Sequence, residues 1–159
     1  MTVPRELILR NDHLYSKPVE ELTSIIETPT QAKNGFKSSS NSFVLEINEE
    51  VEAVEIVLSN ESKESFVIKI NNGEVITDRT NAGDASFSKE FAKVHKAKKV
   101  DTKISNIKLF VDASSVELFV NEGELVMTEL VFPSTPLTKI SVNGVDQFEV
   151  SEVKSIWNQ

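Results

Sequence analysis

Cysteine is absent from this chain of 159 residues, and tryptophan and tyrosine occur only once each. Without thiols the chain forms neither disulfides nor thiolate metal sites. No apolar run approaches the ~20 residues of a membrane-spanning helix, and the opening residues MTVPRELILRND lack the apolar stretch of roughly 7–15 residues found in secretion signals. A net charge of −8 argues against a nucleic-acid partner. We therefore expect a soluble protein with neither nucleic-acid nor membrane partners.

Apolar and polar residues alternate through most of the chain, which is the pattern of half-buried β-strands. Turn residues such as Asn143 and Gly144 separate the runs. Helical spacing is scarce, and Pro18 begins a stretch to Ile26 that predicts one or two helical turns. About ten to twelve short strands predict an all-β fold, an antiparallel two-sheet β-sandwich of the concanavalin or jelly-roll type, as one domain over residues 1–159.

The stretch from 107 to 120 predicts a β-hairpin with Asp112–Ser115 as its loop. In this register Val111 faces Val116 on one side of the hairpin, and Phe110 faces Glu117 on the other. Asp and Ser are typical turn residues, because their side chains bond nearby backbone N–H groups. The turn alone therefore accounts for the polar residues between two very apolar strands.

A third strand is predicted at 125–132, after a three-residue turn at 121–123 with Gly123 in the left-handed region. Its inner residues are then Val126, Thr128, Leu130 and Phe132. Because its other face is also apolar, something must cover that face as well. A loop of the same chain and a neighbouring domain are both open as the cover. The predicted interdomain face comprises Phe110, Glu117, Phe119, Leu125, Met127 and Val131.

Asp112 and Glu117 are the two acids that suggest a catalytic pair, because glycosidases use two carboxylates about 5–10 Å apart. The hairpin instead places one acid in a turn and the other on a strand, with nothing to supply a concave pocket. His13 and His95 are the only histidines, and no nucleophile-elbow, P-loop or metal-binding motif accompanies them. We therefore predict no catalytic, cofactor-binding or metal-binding residue in this chain.

Several segments, in order, resemble a known family. They are MTVPREL at 1–7 with LYSKPVEEL at 14–22, DRTNAG at 78–83 with FSKEFA at 87–92, VDASSVE at 111–117 with Gly123 and Glu124, and SIW at 155–157. Their order and spacing are similar to those of the C-terminal domain of glycoside hydrolase family 32. The chain departs from the family at Ala113, where Arg is common, and at Ala82, where Ser is common.

The resemblance implies the β-sandwich of a β-fructosidase, such as an invertase, levanase, inulinase or sucrose-6-phosphate hydrolase. In that family the chemistry belongs to an N-terminal five-bladed β-propeller. The propeller carries an Asp nucleophile in Asn-Asp-Pro-Asn, a stabilising Asp in Arg-Asp-Pro and an acid/base Glu in Glu-Cys-Pro. None of these motifs occurs here. The implied role is a non-catalytic ancillary domain, with residues 1–10 as a linker or strand from a missing propeller.

The resemblance suggests two alternative functions. The first is a structural module that packs on the propeller of the same polypeptide and supports a homodimer. The second is a fructan-binding module, for which aromatic platforms are few: Tyr15 and Trp157 are single, and core positions are expected for Phe43, Phe66, Phe132 and Phe148. The opening and middle segments look more like levanases and exo-fructosidases, which implies an extracellular or cell-wall location. A sucrose-6-phosphate hydrolase would imply the cytoplasm.

Overall fold

The computed structural model describes residues 2–98, 100 and 103–154. These residues form fourteen strands and two short 3-10 helices, at Glu20–Ile25 and Asn121–Gly123. The predicted closing motif at 155–157, with Trp157, lies outside the described residues. The strands are β1 (Arg5–Arg10), β2 (His13–Pro18), β3 (Thr30–Ala32), β4 (Gly35–Lys37), β5 (Phe43–Ile47), β6 (Ala53–Ser59), β7 (Ser65–Asn71), β8 (Glu74–Asn81), β9 (Val94–Lys96), β10 (Ile107–Asp112), β11 (Ser115–Val120), β12 (Leu125–Leu130), β13 (Lys139–Asn143) and β14 (Phe148–Glu152).

Two six-stranded antiparallel sheets make up most of the molecule. The first has the order β12-β11-β10-β5-β14-β3, and the second has the order β4-β13-β6-β7-β8-β9. Strands β1 and β2 form a separate two-stranded ribbon. Within the described residues the protein is nearly all β, which confirms the predicted antiparallel two-sheet sandwich.

The core forms where the two sheets face one another. Leu45 and Leu109 from the first sheet and Ile56 and Phe66 from the second belong to one continuous buried cluster. Alternation explains this arrangement, because every second side chain of a strand points to the same face of its sheet. Strand β11 is buried at all six positions, so its outer face is covered as well as its inner one.

Among the described residues, helix is limited to one or two turns of 3-10 helix, as the sequence predicts. The 3-10 helix at Glu20–Ile25 lies within the predicted stretch from Pro18 to Ile26. Residues 87–92 form turns, although Phe87 and Phe91 have helical spacing. No helix in the described ranges is long and apolar enough to cross a membrane.

Candidate functional site

The hairpin of β10 and β11 has the register that the sequence predicts. Val111 pairs with Val116, and Phe110 pairs with Glu117. The turn is tighter than expected, because Asp112 and Ser115 still pair with one another and only two residues lie between them. Asp112 is exposed, and its Oδ1 accepts a hydrogen bond of 2.7 Å from the Ser42 hydroxyl. Asp112 therefore joins the end of the hairpin to the beginning of β5.

Glu117 is a buried acid with partners from the N-terminal segment. Its side chain is 2% exposed. The backbone N–H of Val3 donates to Oε1 at 2.7 Å, and the Arg5 guanidinium forms an ion pair with Oε2. Arg5 also donates to the Thr128 hydroxyl at 2.7 Å and lies 5.1 Å from the centre of the Phe119 ring. We call Val3, Arg5 and Glu117 the N-terminal anchor.

The outer face of the first sheet is covered by the same chain. Val44, Phe110 and Phe119 form an outer-face cluster that is separate from the main core. Apolar residues from the N-terminal segment, the first 3-10 helix and the end of β14 pack against this cluster, namely Val3, Leu22, Ile26 and Val153. The sequence left two alternatives for what covers this face, a loop of the same chain or a neighbouring domain. At the outer-face cluster the cover is the chain's own segments.

Three of the six residues of the predicted interdomain face lie on the inner side of the first sheet, facing the core, rather than on its outer side. Leu125, Met127 and Val131 pack against the main core, whereas Val126 contacts the outer-face cluster. The predicted facing of β12 was wrong, because Val120 pairs with Leu125 and the connection is therefore four residues long rather than three. The interdomain contact itself stays a prediction. Since strand side chains alternate, one extra residue exchanges the two faces of β12.

The position of Phe132 is a second consequence of the register of β12. The sequence places it in the core with Phe43, Phe66 and Phe148, and those three are buried. Phe132 instead lies just beyond β12, is partly exposed and bridges to Gly83. Its ring lies 5.5 Å from Phe87 and 5.3 Å from Phe91, measured between ring centres. Together these three residues form an aromatic edge cluster on the surface.

Asp112 and Glu117 have different surroundings. Asp112 lines an open groove of about 540 Å³ beside the first 3-10 helix, and Glu117 is not among its lining residues. Each carboxylate has its own structural partners, Ser42 for Asp112 and the N-terminal anchor for Glu117. The two acids therefore have separate structural contacts, and the groove adjoins Asp112. In the described part of the chain, no group of three or more His, Asp or Glu residues is arranged to hold a metal ion.

A second buried acid was missed by the sequence reasoning. Glu129 of β12 accepts a hydrogen bond of 2.6 Å from Thr77 and one of 2.8 Å from His95 Nδ1, and its Oε2 lies 3.4 Å from Arg79 Nη1. The Arg79 guanidinium also lies 4.1 Å from the centre of the Phe91 ring. Because Thr77 and His95 belong to the second sheet, Glu129 joins the edges of the two sheets. The available signal was a lone acid within the apolar run 125–132.

The two acid sites connect the segments that carry the family resemblance. Arg5 of the opening segment binds Glu117 of the hairpin, and Arg79 of the middle segment binds Glu129 of the strand that follows the hairpin. The middle segment is joined to that strand again at Gly83, where an added Cβ would lie 2.0 Å from the carbonyl oxygen of Phe132. The geometry therefore gives these residues structural contacts rather than a substrate-binding arrangement.

Comparison with known proteins agrees with the resemblance. The family model for the glycosyl hydrolase family 32 C-terminal domain matches residues 12–157. The chain is 27% identical to a sucrose-6-phosphate hydrolase of Vibrio alginolyticus over 98% of its own length, and 27% identical to an extracellular exo-inulinase of Aspergillus niger over 99%. It covers 32% and 35% of those two proteins. The chain thus spans about a third of the length of these curated relatives.

Solved structures show the same fold. The exo-inulinase of Aspergillus awamori superposes with a TM-score of 0.80 and 22% identity, over 98% of this chain and 36% of that one. The sucrose-6-phosphate hydrolase of Lactobacillus gasseri superposes with a TM-score of 0.78 and 21% identity, over 95% of this chain and 33% of that one. Relatives of both kinds match about equally well, so the preference for a levanase-like parent stays a prediction. Because the family model covers most of the sequence, the chain belongs to the C-terminal domain family of glycosyl hydrolase family 32.

Proposed function

We propose that this chain is a non-catalytic domain of a larger β-fructosidase, where it packs on the catalytic domain and stabilises it. The observation that carries the proposal is the length relation: the family model describes a C-terminal domain, and the relatives are about three times as long as this chain. Catalysis would then belong to the part of the parent polypeptide that precedes this domain.

The contacts of the two buried acids support this division of roles. An acid/base pair in a glycosidase needs both carboxylates free to meet the sugar. Here Glu117 is occupied by the N-terminal anchor and Glu129 by Thr77, Arg79 and His95. These acids stabilise the fold, so removing them would lower the stability of the domain rather than the rate of a reaction.

The relatives indicate the type of bond that the parent enzyme hydrolyses, but not its particular substrate. Sucrose-6-phosphate hydrolases and exo-inulinases are both among the matches, so we propose hydrolysis of β-fructosidic bonds by the parent. A parent of the exo-inulinase kind would act outside the cell. A parent of the sucrose-6-phosphate hydrolase kind would act in the cytoplasm.

A hydrolase assay tests the non-catalytic role. The purified chain is incubated with sucrose, sucrose 6-phosphate, inulin and levan, and released fructose is measured. We expect no release above that of a heat-denatured sample. Release that disappears in Glu117→Gln or Asp112→Asn, with the folded signal unchanged, would assign catalysis to the hairpin and overturn the proposal.

A fructan-binding role is the second candidate, and the aromatic edge cluster is the observation that favours it. Phe87 is 60% exposed, and its ring centre lies 4.7 Å from that of Phe91. Sugars stack on exposed aromatic rings, although Phe lacks the polar group that Tyr and Trp add. Calorimetry with inulin and levan oligosaccharides checks this role. Binding that is lost in Phe87→Ala and kept in Val94→Ala would establish it, and no heat at millimolar sugar would exclude it.

A further inference from the structure

The ribbon of β1 and β2 presents an apolar strip to solvent. Leu7, Leu9 and Leu14 are 65%, 71% and 55% exposed. Leu9 pairs directly with Leu14, and Leu7 lies two positions before Leu9 on the same face. Three neighbouring leucines on one side of a ribbon differ from the scattered apolar residues of an ordinary surface, and contiguous apolar surface marks an interaction site. We call these three residues the ribbon strip.

Contacts with the sandwich fix the direction in which the ribbon strip points. A two-stranded ribbon is at best marginally stable by itself, so these contacts determine its position. The N-terminal anchor holds the beginning of β1 on β11, and His13 Nε2 lies 3.2 Å from the carbonyl oxygen of Glu124. Gly123 allows β2 to approach closely, because an added Cβ would lie 2.1 Å from the carbonyl oxygen of Ser16. The leucines therefore stay at the surface while the rest of the ribbon is held.

The position of the domain in longer family members indicates what covers the strip. In a parent polypeptide of the proposed kind the catalytic domain lies on the N-terminal side of the anchor, because the family model describes a C-terminal domain. Leu7 is five residues after Thr2, so an extended chain spans at most roughly 17 Å between them. A domain tethered this closely has an effective concentration in the millimolar range or higher. A second copy of this chain has no such tether, and the net charge of −8 makes two copies repel each other.

We infer that the ribbon strip is the docking surface for the catalytic domain of the same polypeptide. This inference rests on the proposed function and adds the surface through which it acts. It also separates the ribbon strip from the outer-face cluster, which Val3, Leu22, Ile26 and Val153 already cover. The catalytic domain then contacts the leucines of the ribbon, and Phe110 and Phe119 stay covered by the chain's own N-terminal segment.

Cysteine labelling tests the inference, because the chain contains no cysteine of its own. Leu9→Cys is made in the 159-residue chain and in the polypeptide encoded when the reading frame is extended upstream in the genomic DNA. Labelling of residue 9 by a maleimide is followed by mass spectrometry of its peptide. We expect rapid labelling in the shorter chain and labelling at least about tenfold slower in the longer one, as for a side chain in an interface core. Val94→Cys is the matched control, since Val94 is 54% exposed on β9 and should label equally in both.

Thermal unfolding gives an independent readout. Leu7→Ser, Leu9→Ser and Leu14→Ser are combined in both polypeptides. We expect the midpoint to fall clearly in the longer polypeptide and to change little in the 159-residue chain, because only the longer one buries these side chains. A midpoint that changes equally in both would contradict the inference.

The outcomes separate failure of the inference from failure of the proposed function. An extended reading frame that encodes no catalytic domain overturns the proposed function, and the inference with it. A catalytic domain that is present while residue 9 labels at the same rate in both polypeptides overturns the inference alone. Protection of residue 9 in the 159-residue chain that rises with concentration, together with a doubled mass, assigns the strip to a second copy and also overturns it.

Discussion

The geometry of the N-terminal anchor predicts that substituting its two charged residues, Arg5 and Glu117, lowers the stability of the domain by different amounts. Arg5→Met leaves Glu117 on β11, 2% exposed and, among the described residues, with the Val3 N–H as its one remaining side-chain partner. Glu117→Gln leaves Arg5 on an N-terminal segment, with a side chain that is already 24% exposed. Because Arg5 can turn towards water and Glu117 cannot, we expect Arg5→Met to be the more destabilising change.

The magnitudes follow from what each substitution leaves behind. Stranding a buried charge by removing its partner costs about 3–5 kcal/mol, which is the expectation for Arg5→Met. Losing a charge-assisted hydrogen bond while the cation regains water costs about 1.5–3 kcal/mol, which is the expectation for Glu117→Gln. The difference of about 1–2 kcal/mol corresponds to about 2–8 °C in the unfolding midpoint for a domain of this size.

Urea unfolding at pH 7, followed by circular dichroism, measures both changes. The double variant Arg5→Met with Glu117→Gln should be more stable than Arg5→Met alone, because it removes the stranded charge. Arg10→Met is the matched control, since Arg10 lies 3.8 Å from Glu122 with both side chains exposed, and an exposed pair contributes only ~0–1 kcal/mol. Equal losses for the two single variants, or a larger loss for Glu117→Gln, would refute the reasoning.

Three further predictions concern the loops and the core. Gly123→Ala combines a positive φ with a Cβ only 2.1 Å from the Ser16 carbonyl oxygen. It should cost about 1–3 kcal/mol and accelerate hydrogen exchange in β2, whereas Gly35→Ala, whose Cβ meets nothing closer than 3.5 Å, should leave β2 unchanged. The Asn60 side-chain amide lowers the pKa of Glu64 below 4.5. The resulting stabilisation is present above pH 4.5 and is lost as the pH falls through the lower folded-state pKa, so Glu64→Gln should flatten the acid limb of a stability–pH curve. Phe66→Ala should cost about 3–5 kcal/mol in urea unfolding because Phe66 is fully buried, and Phe87→Ala, at an exposed site, should cost far less.

The hairpin register could be predicted because strand alternation leaves little freedom once an apolar face is assigned. A slip of one residue would turn the side chains of Val116, Leu118 and Val120 away from the face that Val111, Leu109 and Ile107 share. The face of β12 could not be predicted in this way, because it depends on the length of the preceding loop. Asn121 and Glu122 both adopt positive φ there, and neither residue type signals the extra position. The ribbon strip was hidden for a related reason, since alternation in β1 gives no information on which side of a ribbon the sandwich lies.

The two buried acids, Glu117 and Glu129, have structural partners in this fold. Glu117 pairs with Arg5 and Glu129 pairs with Arg79, and both arginines come from other segments of the family resemblance. The two acids therefore join segments that lie far apart in the chain. The Nε–H groups of Arg5 and Arg79 are buried without an acceptor among the described residues, which limits the net stabilisation that either pair can provide. Breaking one pair is nevertheless costly, because it leaves a charge behind in the sheet. We infer that such pairs contribute less to the free energy of unfolding than to conformational specificity, because an N-terminal segment or a sheet edge placed differently would leave an acid unpaired.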